Sequence, residues 1–273
     1  MNMNTIEETI VDDNQSSKCQ EFMSQLEQLM TCSTTTKESK KQVWVQFISL
    51  WCEILQIPST DAQTWYHECA RILPILLKST SFYIIKKELF VARETFCACI
   101  SHFNQSHMKA YLQLTTEQRK LAENRIYYTH VYHLLMIATQ TTLSIPFLAI
   151  EDRQFIDNHS EFVITLIESV ERSMSEQCQT IEQKEHALGV INERILALLW
   201  NLSDRTVLIP VFLKCGLAKQ VVMWLSQAAM LTDKGRRPLI SIAYNIGRHD
   251  EGGDELNKFG AIAYIKQSEL FKI

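Results

Sequence analysis

The sequence predicts an all-α fold, and three observations carry that reading. Glycine is nearly missing from the first two thirds: the chain has 7 glycines in 273 residues, and none lies before residue 189. Tight hairpins and phosphate-cradling loops depend on glycine, which alone takes φ > 0 at little cost. Apolar residues recur at i, i+3 and i+4 in one stretch after another, the period of an amphipathic helix. The linkers between those stretches are short, so successive helices must pack antiparallel, as a bundle or as a stacked array.

The elements follow in order. Residues 1–16 read as a polar, acidic, disordered lead. A helix is expected over 17–31, with Phe22, Leu26, Leu29 and Met30 on one side, and the segment TCSTTTK is a loop. The helix at 39–56 carries Val43, Trp44, Phe47, Ile48, Trp51, Ile54 and Leu55 at helical spacing, and Pro58 ends it. Ser59-Thr60-Asp61 caps a helix over 61–79 that Pro74 should kink. Helices at 81–103 and 116–142 come next, the latter bearing Leu121, Ile126, Tyr127, Val131, Leu134, Leu135 and Ala138. Pro146 marks a break before a helix at 159–173 and a polar stretch. The expected organisation is thus a lead (1–16), a divergent helical region (17–175) and a repeat region (180–273).

The repeat is visible by aligning RILALLWNLSDRTVLIPVFLKCGLAKQVVMWL (194–225) with PLISIAYNIGRHDEGGDELNKFGAIAYI (238–265). At one ungapped offset Leu196 meets Ile240, Trp200 meets Tyr244, Asn201 meets Asn245 and Leu202 meets Ile246. Phe212 then meets Leu256, Lys214 meets Lys258, Gly216 meets Gly260 and Val221 meets Ile265. The unit has a physical logic: a long helix ending after Asn-Leu/Ile, a short helix ending at Lys-x-Gly, and a glycine whose αL conformation permits a sharp turn into a third helix. This pattern resembles an armadillo repeat over about 187–273. The resemblance implies an armadillo-like α-solenoid, a right-handed superhelix of stacked helices, with a divergent helical N-terminal part. Ala197 and Ser241 stand where armadillo units often carry Trp. The segment FIDNHSEFVITLI (155–167) is a degenerate echo, with Asn158 in the Gly216 slot. The chain reaches Ile273 before the next unit's long helix, which fits a truncated array, an open end that pairs with a partner, or one part of a larger architecture.

Charge and composition narrow the function. The net charge is −4 and the basic clusters are short (Lys37, Lys40 and Lys41; Lys86 and Lys87; Arg236 and Arg237), so nucleic acid is not the expected partner. No apolar run approaches the ~20 residues of a bilayer span, and the N-terminus has no apolar leader segment. The eight cysteines sit mostly in apolar helical runs and are expected to be reduced thiols of a cytosolic or nuclear chain. No cofactor is expected. His130 and His133, at i, i+3, are the best pair for a metal, but Tyr127, Tyr128 and Tyr132 around them favour an aromatic packing seam. Cys97 and Cys99 point about 200° apart on a helix and cannot chelate together. Cys215 has no nearby histidine to activate it. The acidic run from His249 to Glu255 reads as a solvated loop.

The candidate site is geometric. At about 100° per residue, Arg194, Ala197, Asn201 and Arg205 share one stripe, and Arg237, Ser241, Asn245 and Arg248 share another. The opposite stripes (Ile195, Leu199, Leu202; Leu239, Ile242, Ile246) are apolar and form the core face. The resemblance implies that Asn201 and Asn245 line a concave groove and bond an extended peptide's backbone, with the arginines favouring acidic side chains. The alternative is that both asparagines cap their own helices. The expected function is non-enzymatic protein binding. A second expectation is a regulatory or autoinhibitory module of a larger signalling protein, such as one upstream of a TIR domain, sensing a small ligand. A helical enzyme would need a buried polar pocket that the sequence does not reveal.

Overall fold

The computed structural model describes residues 89–121, 125–144, 160–177, 189–228 and 231–267, together with Glu21 and Ser24. The helices expected at 17–31, 39–56 and 61–79 therefore lie outside the described residues, apart from those two. The rest is helical, with no strand among the described residues.

The elements are α1 (Leu89–Phe103), α2 (Ser106–Leu112), α3 (Thr116–Lys120), α4 (Arg125–Ser144), α5 (Ser160–Gln177) and α6 (Gly189–Ser203). A 3-10 turn at Thr206–Leu208 leads to α7 (Ile209–Lys214), α8 (Leu217–Ser226), α9 (Asp233–Gly247), α10 (Asp250–Lys258) and α11 (Ala261–Gln267). Two expectations need correction. The helix expected over 116–142 is divided: α3 stops at Leu121, whose ψ of 146° is extended, and α4 starts at Arg125. A capping box, in which Thr115 and Gln118 satisfy each other's backbone amides, fixes the start of α3 where the sequence places it, and the extended Leu121 ends it. The acidic run after His249 is not a loop but the first turns of α10, where Asp250 and Glu251 face the positive end of the helix dipole.

The three-helix unit seen in the sequence is present twice. The first long helix, α6, ends at Ser203, and the short α7 ends at Lys214. Gly216 then turns the chain into α8 with φ 76°. The second unit repeats this with α9 ending at Gly247, α10 ending at Lys258 and Gly260 at φ 80° before α11. An L-side chain at either glycine would be strained.

Packing links the long helices in series: α1 against α4, α4 against α6, α6 against α9. A second series runs from α5 to α8 to α11. The core lies between the two. Ile195, Leu199, Leu202, Leu239, Ile242 and Ile246, the expected apolar stripes, are all buried there with Phe162, Leu166, Phe212 and Val221. In the earlier half a polar chain joins the layers. Arg119 donates to the Leu112 carbonyl (2.7 Å) and to Ser169 Oγ (3.0 Å); Ser169 donates to Asn192 Oδ1 (3.0 Å), and Asn192 Nδ2 donates to Ser173 Oγ (2.6 Å). All four side chains are buried, so these bonds offset desolvation that would otherwise oppose folding.

Candidate functional site

The long helices α4, α6 and α9 lie side by side, and their flanks facing one another carry the residues singled out in the sequence. Asn201 Nδ2 on α6 donates to the Thr139 carbonyl of α4 (3.3 Å). Asn245 Nδ2 on α9 donates to the Trp200 carbonyl (3.4 Å) and to Ser203 Oγ (3.1 Å) of α6. Neither asparagine caps its own helix. Each bonds a carbonyl in the C-terminal part of the helix before it; the Trp200 carbonyl also accepts from the Asp204 amide (3.2 Å) and from Ser203 Oγ (2.8 Å). Asn245 is only 6% exposed and so offers little to a partner's backbone; Asn201 is half-buried.

The arginines divide. Arg205 donates to the Thr142 carbonyl of α4 (3.0 Å), where its charge also suits the negative end of that helix dipole. Arg248 meets Asp204 (3.5 Å) and lies over the Tyr244 ring. Arg194 donates to Tyr132 Oη (3.3 Å), with its guanidinium 5.3 Å from that ring's centre. Arg237 is exposed and makes no bond or ion pair among the described residues. Ser241 is half-buried on the same side of α9.

The open face keeps Ala197 of the α6 stripe and Arg237, Ser241 and Arg248 of the α9 stripe, while both asparagines turn to the neighbouring helix. On α6 it runs through Val190, Ala197 and Trp200 to Asp204 just past the helix, and on α9 through Arg237, Ser241 and Tyr244 to Arg248 at its C-cap. The physical reason is that α6 is covered on two flanks by α4 and α9, so only a narrow strip stays open and Asn201 falls on its covered edge. Trp200 is 40% exposed and Tyr244 67% exposed at matching positions of adjacent units. The sequence alignment paired these two residues but gave them no role. The usable signal was that each sits one residue before an asparagine, about 100° further round the helix.

Protein-family models, curated proteins and solved structures yield no match to this chain. The site stands on its geometry.

A cleft of about 290 Å³ opens on this face between α6 and α9. Ala197, Trp200 and Pro238 give it apolar walls; Arg194, Lys234 and Arg237 bring positive charge, and Glu193 and Asp233 negative charge. Pro238 lies inside α9, so the Lys234 carbonyl has no amide four residues on to bond.

The metal candidate takes a different form. His130 on α4 does not pair with His133; its Nε2 lies 3.0 Å from Nε2 of His102 on α1, with the rings 5.1 Å apart and edge to face. The His107 ring also stands edge to face with His102, 5.7 Å away. Burial first, then the neighbouring His102, His107 and His133, hold His130 well below the ordinary histidine pKa of 6.5. His133 donates Nδ1–H to the Thr129 carbonyl (2.7 Å), and its pKa is lowered by burial. No group of three or more His, Cys, Asp or Glu able to hold a metal ion occurs among the described residues. Cys97, Cys99 and Cys215 form no disulfide; burial raises the pKa of Cys215, opposite to what a nucleophile needs. No helix among the described residues is long and apolar enough to cross a membrane.

Proposed function

We propose that this protein is a non-enzymatic binding module of armadillo-like architecture, which holds an extended segment of a protein partner across the open face of α4, α6 and α9. The observation that carries the reading is the pair of exposed aromatics, Trp200 and Tyr244, at equivalent positions on neighbouring long helices. Trp and Tyr are among the side chains that dominate interface energetics, and these two stand on one face. Adjacent packed helices lie about 10 Å apart, the reach of roughly three residues of extended chain. A segment crossing the three helices would span about six residues, with one residue type recurring at each aromatic.

Asn201, Asn245, Arg205 and Arg248 have the supporting role in this reading. They bond each long helix to the one before and so fix the spacing of the aromatics.

The test is selection from a displayed library of random peptides about 12 residues long, roughly twice the crossing length. Peptides enriched on the wild-type protein are expected to lose about tenfold or more in affinity for Trp200→Ala/Tyr244→Ala, while the melting temperature stays close to wild type. Failure to enrich any sequence, or equal binding to the double variant, would remove the proposal.

A further inference from the structure

We infer that the cleft between α6 and α9 is a carboxylate-reading subsite, which takes an Asp or Glu side chain of the bound segment beside a proline or aliphatic residue packed on Trp200. The inference rests on the proposed binding role and adds the chemistry of the occupant.

Size comes first. A cleft of about 290 Å³ lies at the lower limit of small-molecule sites, which begin near 300 Å³, and fits one or two side chains. Its apolar part is Trp200, Ala197 and Pro238, a flat indole beside small walls that suits a compact ring or a short aliphatic chain.

Charge then selects the tip. The two acids at the cleft already have partners: Glu193 accepts a hydrogen bond from Thr232 Oγ1 (2.8 Å), and Asp233 pairs with Arg236 (3.2 Å). Arg194 is held by Tyr132. Lys234 and Arg237 remain, both exposed and both without a bond or ion pair among the described residues. They stand one helical turn apart at i, i+3, on the same side of α9. Two open cations beside an apolar wall call for an anion with an apolar neighbour, and the guanidinium fork of Arg237 matches a carboxylate with two parallel bonds. A cationic segment would meet three cations, Arg194, Lys234 and Arg237, against two acids, of which Asp233 is already paired with Arg236. A polyanion such as a nucleic acid would meet two fixed carboxylates with only two open cations against them, far short of the basic stripe that phosphate binding uses.

The probes are acetyl-(Pro-Glu)4-amide and acetyl-(Pro-Gln)4-amide, both extended by proline and differing only in charge. The protein carries 5-fluorotryptophan, and the Trp200 fluorine signal is assigned by its loss in Trp200→Phe. The glutamate peptide is expected to shift that signal saturably, and the glutamine peptide to bind roughly tenfold more weakly. Lys234→Ala/Arg237→Ala should weaken the glutamate peptide by a similar factor, and added salt should weaken it much more than the glutamine peptide. Equal binding of both peptides, indifference to Lys234→Ala/Arg237→Ala, or an unmoved Trp200 signal would each overturn the inference. Should library-selected peptides depend on Trp200 and Tyr244 but not on Lys234 and Arg237, the subsite fails while the binding role stands.

Discussion

Residues 89–177 and 189–267 pack their long helices in one continuous series, yet fill the space between helices with different chemistry. In the earlier region the buried set includes His102, Arg119, His130, Thr141, Thr165, Ser169 and Ser173. In the later one the buried polar side chains are Asn192, Ser203 and Asn245, and the remainder of the interior is aliphatic and aromatic. The later region is specified by glycines at fixed φ and by asparagines on the long helices, Asn192 and Asn201 on α6 and Asn245 on α9. The earlier region is specified by bonds between side chains. One packing order is thus reached with two kinds of cement, and only the polar kind makes stability depend on protonation.

Four outcomes test that comparison. The largest effect is expected from the cores, where the regions should behave alike. Leu135→Ala in α4 and Leu199→Ala in α6 each remove a fully buried side chain and should each cost about 2–5 kcal/mol in urea melts. Because α4 and α6 are in direct contact, each variant should shift one common transition; two separate transitions would break the series. Acid should separate the regions. The Nε2 atoms of His102 and His130 lie 3.0 Å apart, so protonating both rings would set two cations in contact, and the folded pKa of His130 lies well below the ordinary value of 6.5. The unfolded state therefore binds more protons at acid pH. Stability should be full above about pH 6.5 and fall as pH drops below it toward the folded pKa, with amides of α1 and α4 losing exchange protection first. A His130→Asn variant whose acid sensitivity equals wild type would contradict this. Among the asparagines, Asn245→Ala should cost about 1–3 kcal/mol because it strips buried bonds, and the half-buried Asn201→Ala less than about 1.5 kcal/mol. Losses in the opposite order would mean that Asn201 is the tighter link. Arg237→Ala should change stability by no more than about 0.5 kcal/mol, as expected for an exposed side chain without partners.

Much of the later region was legible in the sequence, for stated reasons. Gly216 and Gly260 mark turns that only glycine makes cheaply, and the apolar stripes through Leu199 and Ile242 set the buried face. The relation between α4 and α6 was hidden because the linked residues are 62 positions apart (Asn201 to Thr139), against 45 for Asn245 to Trp200, so no single ungapped offset aligns all three helices. The bonds of the two asparagines were hidden for a different reason. A helical wheel shows which side is polar, but not which edge of that side a neighbouring helix covers, and Asn201 lies on the covered edge. His130 was matched with His133 because spacing along one helix is visible in sequence, whereas its partner His102 comes from another helix.

If the partner binds the face bearing Trp200 and Tyr244, one measurement separates that face from exposure in general. Ile164 on α5 and Met223 on α8 are similarly exposed apolar residues, 41% and 46%, but lie on the other series of helices. Calorimetric titration of one library-selected peptide into wild type, Trp200→Ala/Tyr244→Ala and Ile164→Ala/Met223→Ala compares the two surfaces directly. The expected result is wild-type affinity for the Ile164/Met223 variant and a loss of about tenfold or more for the Trp200/Tyr244 variant, with all three proteins melting alike. Equal losses in both variants, or a loss confined to Ile164 and Met223, would contradict the account.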